Sequence, residues 1–258
     1  MLISNFIYSP WSRNGLMVCL VKTSPKSAPG WLVLVPALFV PGLGALLYFV
    51  FFPEGAVGQA LYAGTKLFTL FYPVFFLKRI GLQGLVGRRS NERRWPGWKT
   101  VIWTGVMSGV AISAVGTLLM LTSVGDIVRD SAGAVTKRAE GLGLAEHFLL
   151  FAVFLSVIHS GLEEFYWRWF VYGQVQRRLS RWRAHAIAAV AFGGHHLIIT
   201  LQFFPTALAL FLTTCVVVGG LVWSLMYERQ GTVIGCWVSH ICVDVMLMVV
   251  GYQLIMVT

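Results

Sequence analysis

Long apolar stretches alternate with short polar segments along almost the whole chain. Seven of these stretches are long enough to cross a bilayer core of about 30 Å. They predict membrane-spanning helices at about residues 31–52, 57–77, 100–122, 147–172, 184–201, 206–227 and 232–257. The pattern therefore predicts an all-α fold, a polytopic membrane helical bundle with about seven transmembrane helices.

The first thirty residues leave the number of spans at seven or eight. Their longest apolar run, Gly15–Val21, is too short to cross a membrane. Residues 1–30 are interpreted as an N-terminal cytoplasmic tail or an interfacial segment, with a partial eighth span as the alternative. Residues 31–145 would then form the N-terminal helices of the bundle, and residues 146–258 its C-terminal helices.

The composition agrees with a membrane protein. Of the 258 residues, 57% are hydrophobic and 12% are charged, whereas soluble domains have about 25% charged residues. The four cysteines form no C-x-x-C pair, which argues against a disulfide framework and against a thiolate zinc site.

The net charge of +10 could indicate a nucleic-acid partner, but the basic residues follow the predicted loops. Of the twenty Lys and Arg residues, fifteen fall on one side of the predicted membrane, three fall on the other, and Lys66 and Arg168 lie within spans. Because cytoplasmic loops are enriched in Lys and Arg, this asymmetry predicts a multi-pass membrane protein with a cytoplasmic N-terminus. The orientation of the chain in the lipid bilayer then explains the basic charge, and no nucleic-acid partner is predicted.

Two adjacent carboxylates, Glu163 and Glu164, lie with Arg168 inside the predicted fourth span. A charged side chain at membrane depth costs about 2.5–3.5 kcal/mol, so such residues mark a functional site. Residues four apart share a helix face, and Glu164 is therefore expected to form a hydrogen-bonded ion pair with Arg168. Glu163 points about 100° away and stays available for chemistry, with His159 one turn before it.

Two further polar clusters lie in later spans. Phe192 and His196 are four residues apart in the fifth span, and His240 and Asp244 are four apart in the seventh. Counted along each helix, these groups and Glu163 all fall near the midplane or in the cytoplasmic half, so one shared site is predicted there. Phe192 should pack against the His196 ring, and Asp244 should orient or charge the His240 imidazole.

These residue types suit the hydrolysis of an amide bond, which needs an activated water, oxyanion stabilisation and a proton donor. Glu163 and His196 could hold and deprotonate a water, directly or through a divalent metal. His240 and Asp244 could polarise the carbonyl or complete a metal shell. A carboxylate and imidazole set suits Zn²⁺ with an open position, so the candidate ligands are Glu163, His196, His240 and Asp244; a metal-free mechanism stays open.

The remaining histidines of the spans have a structural interpretation. His159, His185 and His195 are each interpreted as groups that hydrogen bond between helices. The Glu164 and Arg168 pair is likewise interpreted as an ion pair that stabilises the fourth span.

Three motifs follow one another in the C-terminal half: E-E-x-x-x-R at 163–168, F-x-x-x-H at 192–196 and H-x-x-x-D at 240–244. In this order they resemble the CAAX-processing and bacteriocin-processing endopeptidases, the CPBP or Abi family of intramembrane metalloproteases, over about residues 145–257. The resemblance implies that residues 146–258 are the catalytic helices and that a cavity opens to the cytoplasm.

The resemblance also implies roles for individual residues. Glu163 and His196 would be the water-activating pair, His240 and Asp244 would complete the site, and the rest of the first motif, with Phe192, would support it. The prenyl-protein endopeptidases carry Asn where this chain has Asp244. The Asp of this chain is similar to the bacterial branch of the family. An ionised Asp repels an oxyanion, so Asp244 is expected to orient His240 or to bind metal. The implied partner is a membrane-anchored or hydrophobic peptide substrate.

Two alternatives of other classes stay open. An ion-coupled transporter could use the same buried charges as a pathway, although the chain shows no inverted repeat. A catalytically silent immunity or scaffold protein could keep the motifs for packing. Other intramembrane proteases fit poorly, because the sequence has no G-x-S-x-G, G-x-G-D or H-E-x-x-H motif.

Overall fold

The computed structural model describes residues 30–53, 55–76, 96–144 and 146–256. The predicted N-terminal tail and most of the basic loop that follows the second span lie outside these ranges. Within them the chain forms helices and no strand, which confirms the all-α prediction. The helices are α1 Trp31–Phe51, α2 Gly55–Phe75, α3 Trp98–Leu119, α4 Ser123–Asp130, α5 Ala132–Gly141, α6 Phe148–Val175, α7 Arg181–Thr200, α8 Thr206–Gln230 and α9 Ile234–Met256.

Seven of these helices are long enough to cross a membrane, and they coincide with the seven predicted spans. Five, namely α1, α3, α6, α8 and α9, are also apolar enough by composition alone. Helices α2 and α7 have 21 and 20 residues, and each carries polar residues that lower its hydropathy. The structure is that of a multi-pass integral membrane protein.

Side-chain contacts at the helix ends show how successive helices alternate in direction. At one end, Arg181 at the start of α7 forms an ion pair of 2.8 Å with Glu228 near the end of α8. At the opposite end, Arg138 of α5 donates a hydrogen bond to the Pro53 carbonyl after α1. The short helices α4 and α5 cover that second end, where Val128 packs in one apolar cluster with residues of α8 and α9.

Helix α6 runs through the centre of the bundle. Its residues Tyr166–Val175 are all buried, and the Tyr166 hydroxyl donates a hydrogen bond of 2.8 Å to the Ala37 carbonyl of α1. Phe192 of α7 and Trp223 of α8 complete this core. Large apolar side chains on the outer helix faces are exposed, as is expected of a surface that meets lipid.

Helices α3 and α9 approach each other closely because glycines line their contact. A Cβ added to Gly105 would lie 2.6 Å from the Gly235 carbonyl oxygen, and one added to Gly109 would lie 2.6 Å from Cβ of Cys242. Small residues four apart allow such backbone approach between membrane helices. This contact fixes α9, which carries His240, against the rest of the bundle.

Two stretches of α6 are π-helical, Phe154–His159 and Phe165–Tyr172, and they flank the short α-helical segment Ser160–Glu164. π-helical turns are rare and occur often at functional sites. The Trp237 indole of α9 donates a hydrogen bond of 2.9 Å to the Val157 carbonyl inside the first stretch. The two glutamates therefore lie on the one segment of this region that keeps regular α geometry.

Candidate active site

The structure brings the predicted polar residues of α6, α7 and α9 together inside the bundle. Glu163, Glu164, Arg168, His240 and Asp244 are all buried. Since unpaired buried charges are costly, the arrangement of their partners decides which of them is available for chemistry.

Glu164 is held by two partners. Its Oε2 lies 3.2 Å from Nε of Arg168, and its Oε1 accepts a hydrogen bond of 2.8 Å from Nδ1 of His240. The predicted ion pair is therefore present, but its atoms lack hydrogen-bond alignment among the described residues. The guanidinium lies instead over the rings of Phe192 and Trp223, 4.4 and 5.1 Å from their centroids. The prediction of a hydrogen-bonded pair was correct for the charges and wrong for the hydrogen bonds.

Glu163 faces away from Arg168 and is surrounded by imidazoles. Its Oε1 lies 3.3 Å from Nε2 of His159 and 3.4 Å from Nε2 of His195. Its Oε2 lies 3.8 Å from Nε2 of His240. Histidines of three helices thus meet at one carboxylate. None of these contacts of Glu163 is with a Lys or an Arg.

His196 is oriented by its own helix. Its Nδ1 lies 2.9 Å from the Phe192 carbonyl, and because a carbonyl can only accept, Nδ1 carries the proton. The neutral ring then presents a lone pair at Nε2. Phe192 packs against this ring with centroids 4.8 Å apart, as the four-residue spacing predicts.

His240 is oriented in the same manner by a different helix. Glu164 binds its Nδ1, so Nε2 is the atom directed at Glu163 and at Asp244, whose Oδ1 lies 3.6 Å away. The indole of Trp223 stacks on the ring at 4.1 Å. Asp244 is therefore placed beside His240, in the position that the four-residue spacing predicts.

One group of donors in the described part of the chain has the spacing of a metal site. Glu163, His195 and His196 each offer a ligand atom, and these atoms lie within 4.8 Å of one another. Ligands about 2.0–2.1 Å from a tetrahedral zinc ion are closer together than this limit, so small side-chain rotations would close the set. His195 Nδ1 is buried without a hydrogen-bond partner. The predicted ligand set had His240 and Asp244 in the place that His195 takes here.

A small cavity borders the carboxylate of Glu163. Its volume is about 30 Å³, room for about two waters. Its lining includes Glu163, His159, His195 and Trp167 together with Pro41 of α1 and Lys66 of α2. A water held there would lie next to Glu163, the member of the Glu163 and Glu164 pair that does not face Arg168.

Sequence reasoning missed two participants, His195 and Lys66. His195 was interpreted as a group between helices, yet it contacts Glu163. His159 was interpreted in the same way, but the four-residue spacing also predicted its proximity to Glu163, which it contacts. Lys66 was recognised as a charge within a span and given no place. For His185 the prediction holds, because it bonds to Ser224 of α8 at 2.8 Å, away from Glu163.

Residues 145–246 match the model of one protein family, described as Rce1-like, type II CAAX prenyl endopeptidase. The matched range includes all three motifs and every residue of the cluster around Glu163 except the cavity-lining residues of α1 and α2. No curated protein matches the chain. No solved structure matches it either.

Proposed function

We propose that this chain is an intramembrane endopeptidase. The match of its residues 145–246 to the Rce1-like family agrees with the resemblance of its motifs. Its substrate would be a membrane-associated, prenylated peptide with a CAAX-type C-terminus, and the bond cleaved would lie near that C-terminus. The observation that carries the proposal is the contact of Glu163 with imidazoles from its own helix, α7 and α9 beside a water-sized cavity.

The first chemical step is attack by water. A water held beside Glu163 would donate one hydrogen bond to this carboxylate and another to the lone pair of His196, because ligand atoms of the two residues lie within 4.8 Å of each other. Glu163 takes the proton as the water oxygen bonds to the scissile carbonyl carbon. The same proton then passes from Glu163 to the leaving nitrogen as the carbon–nitrogen bond breaks, so the carboxylate ends the cycle as it began.

The oxyanion formed on the carbonyl oxygen needs a donor. His240 can supply one in its doubly protonated form, because Glu164 accepts from Nδ1 and Nε2–H then faces the reacting carbon. Asp244, 3.6 Å from this nitrogen, would act through His240 and would not contact the oxyanion, which an ionised carboxylate repels. Glu164 would hold the imidazole in the required orientation.

Glu163, His195 and His196 are the residues that would hold a zinc ion. The set predicted from sequence was Glu163, His196, His240 and Asp244. When bound, zinc would lower the pKa of its water and polarise the carbonyl. The proton transfers above need only the side chains named. Metal content of the purified protein before and after chelation, with activity measured in parallel, tests the zinc proposal.

The direction of access follows from the distribution of basic residues. Arg177 and Arg178 lie between α6 and α7, and Arg181 and Arg183 lie at the start of α7. Arg229 lies at the matching end of α8. Because the cytoplasmic side carries the Lys and Arg excess, we propose a cytoplasmic N-terminus and a site that takes its substrate from the cytoplasmic half of the membrane.

The test is hydrolysis of a prenylated CAAX peptide by the purified full chain in proteoliposomes. Glu163→Gln and His196→Ala should abolish cleavage while the proteins insert and purify normally. Glu140→Gln is the matched control, because Glu140 is exposed on α5 and belongs to none of the three motifs. Undiminished cleavage by Glu163→Gln would show that the roles are wrong, and an inactive wild type would favour the silent scaffold.

A further inference from the structure

Lys66 is a charged residue in the middle of a membrane helix, and the mechanism above does not use it. It is the twelfth of the 21 residues of α2, so about 15 Å of helix separates it from either end. The side chain of a lysine is too short to carry the ammonium group over that distance to the interface. A lysine at this depth costs about 2.5–3.5 kcal/mol and marks a functional site.

The side chain of Lys66 lines the same cavity as Glu163. Tyr62, Thr65 and Thr69 line that cavity from the same face of α2, as their three- and four-residue spacing requires. The threonine hydroxyls already donate to carbonyls of their own helix. The Lys66 ammonium is a cation on this wall with three hydrogen-bond donors to offer a ligand.

The contacts of this ammonium leave it in need of an anion. Its Nζ lies 5.0 Å from the ring centroid of Tyr62. No carboxylate of the described ranges lies within 4.0 Å of it. Glu163, the carboxylate of the same cavity, contacts His159 and His195 instead.

We propose that Lys66 binds the C-terminal carboxylate of the peptide that the enzyme removes, so that the enzyme recognises a free chain end. This inference rests on the proposed endopeptidase function. A cut within the four-residue CAAX end of the proposed substrate releases at most three residues, which span at most about 11 Å. The cation that binds their carboxylate must therefore lie near Glu163, and Lys66 lines the same cavity. It would also offset the repulsion between that carboxylate and Glu163.

Helix α2 can admit a peptide beside Lys66 if it moves away from α6. Phe170 of α6 makes ring contacts with Tyr72 of α2 and with Phe76, the residue after α2. These contacts lie about two to three turns beyond Lys66. Around Lys66 itself the cavity separates the two helices, and its 30 Å³ holds water only. Substrate binding therefore requires this part of α2 to move outward, with Lys66 on the face that meets the peptide.

The experiment compares two prenylated peptides of one sequence in proteoliposomes, one with a free C-terminal carboxylate and one with a C-terminal amide. The wild type should cleave the free acid with a kcat/KM at least about tenfold higher. Lys66→Met should lose this preference, mainly through a higher KM for the acid. Lys66→Arg should restore the preference, since it keeps the charge.

Lys137→Met is the matched control, because Lys137 is exposed on α5, and it should keep the preference. Equal kcat/KM for the two peptides in the wild type would overturn the role of Lys66 and leave the endopeptidase function intact. Retention of the preference by a folded Lys66→Met protein would do the same. If Lys66→Met does not fold, the acid and amide comparison on the wild type decides. Cleavage of neither peptide by the wild type would overturn the proposed function itself.

Discussion

Replacing Glu164 by Gln should destabilise the protein strongly, because it removes the buried negative charge that faces Arg168. Both side chains are almost completely buried and lie 3.2 Å apart. Breaking a buried ion pair by removing one partner costs about 3–5 kcal/mol, since the other charge stays buried without compensation. The amide oxygen of Gln can still accept from Nδ1 of His240, and its NH2 group then replaces the oxygen that faces Arg168.

Two companion variants separate the contributions. Glu164→Ala also leaves the His240 donor without an acceptor and should lose about 1–3 kcal/mol more. The double variant Glu164→Gln/Arg168→Met removes both charges, and it should be more stable than Glu164→Gln alone, because no unpaired charge remains. The apolar Met would lie between the rings of Phe192 and Trp223 that the guanidinium now covers.

The assay is reversible unfolding in mixed detergent micelles, with the free energy of unfolding as the readout and Glu140→Gln as the surface control. A change within about 0.5 kcal/mol is expected for that control. A loss below about 1 kcal/mol for Glu164→Gln, or a double variant no more stable than the single one, would refute the view that this ion pair stabilises α6.

Three other substitutions test separate parts of the structure. Gly109→Leu should lower the free energy of unfolding by at least about 1–3 kcal/mol, because its side chain would overlap α9. Gly133→Ala is the control and should not lower it, because Gly133 has open space around it. Equal stability of the two variants would contradict the packing of α3 against α9. His185→Ala should cost about 1–3 kcal/mol by breaking its buried hydrogen bonds while kcat and KM of the remaining folded protein stay unchanged. Asp244→Ala should lower kcat about tenfold or more and leave KM unchanged, because Asp244 acts on His240; a rise in KM alone would instead indicate substrate binding.

Most of the fold could be predicted from sequence, because the membrane forces a long apolar helix at each span. The predicted spans and the observed helices differ at the helix ends. Helix α6 continues to Val175 and α7 begins at Arg181, since aromatic and basic residues remain helical where they meet the interface. The π-helical stretches of α6 were not predicted. A carbonyl in the first stretch accepts a hydrogen bond from α9, and the sequence does not show such contacts between helices.

For the site, the contacts within one helix were predictable and those between helices were not. Four-residue spacing gave the pairing of Glu164 with Arg168 and the proximity of His159 to Glu163. The hydrogen bond from His240 to Glu164 depends on how α9 is rotated against α6. Whether His195 faces Glu163 depends likewise on how α7 is rotated against α6. Neighbouring residues on a helix point about 100° apart, and the sequence does not reveal which of them faces another helix.

The central claim is that Glu163 and imidazoles of separate helices surround one water that attacks the substrate. The most direct measurement is a structure of the Glu163→Gln variant in lipid with an uncleaved prenylated peptide bound. We expect the scissile carbonyl carbon about 3–3.5 Å from a water that also contacts residue 163 and His196, with the carbonyl oxygen directed at His240. A peptide bound with its scissile carbonyl more than about 10 Å from residue 163 and from both histidines, beyond any direct proton transfer, would contradict the account.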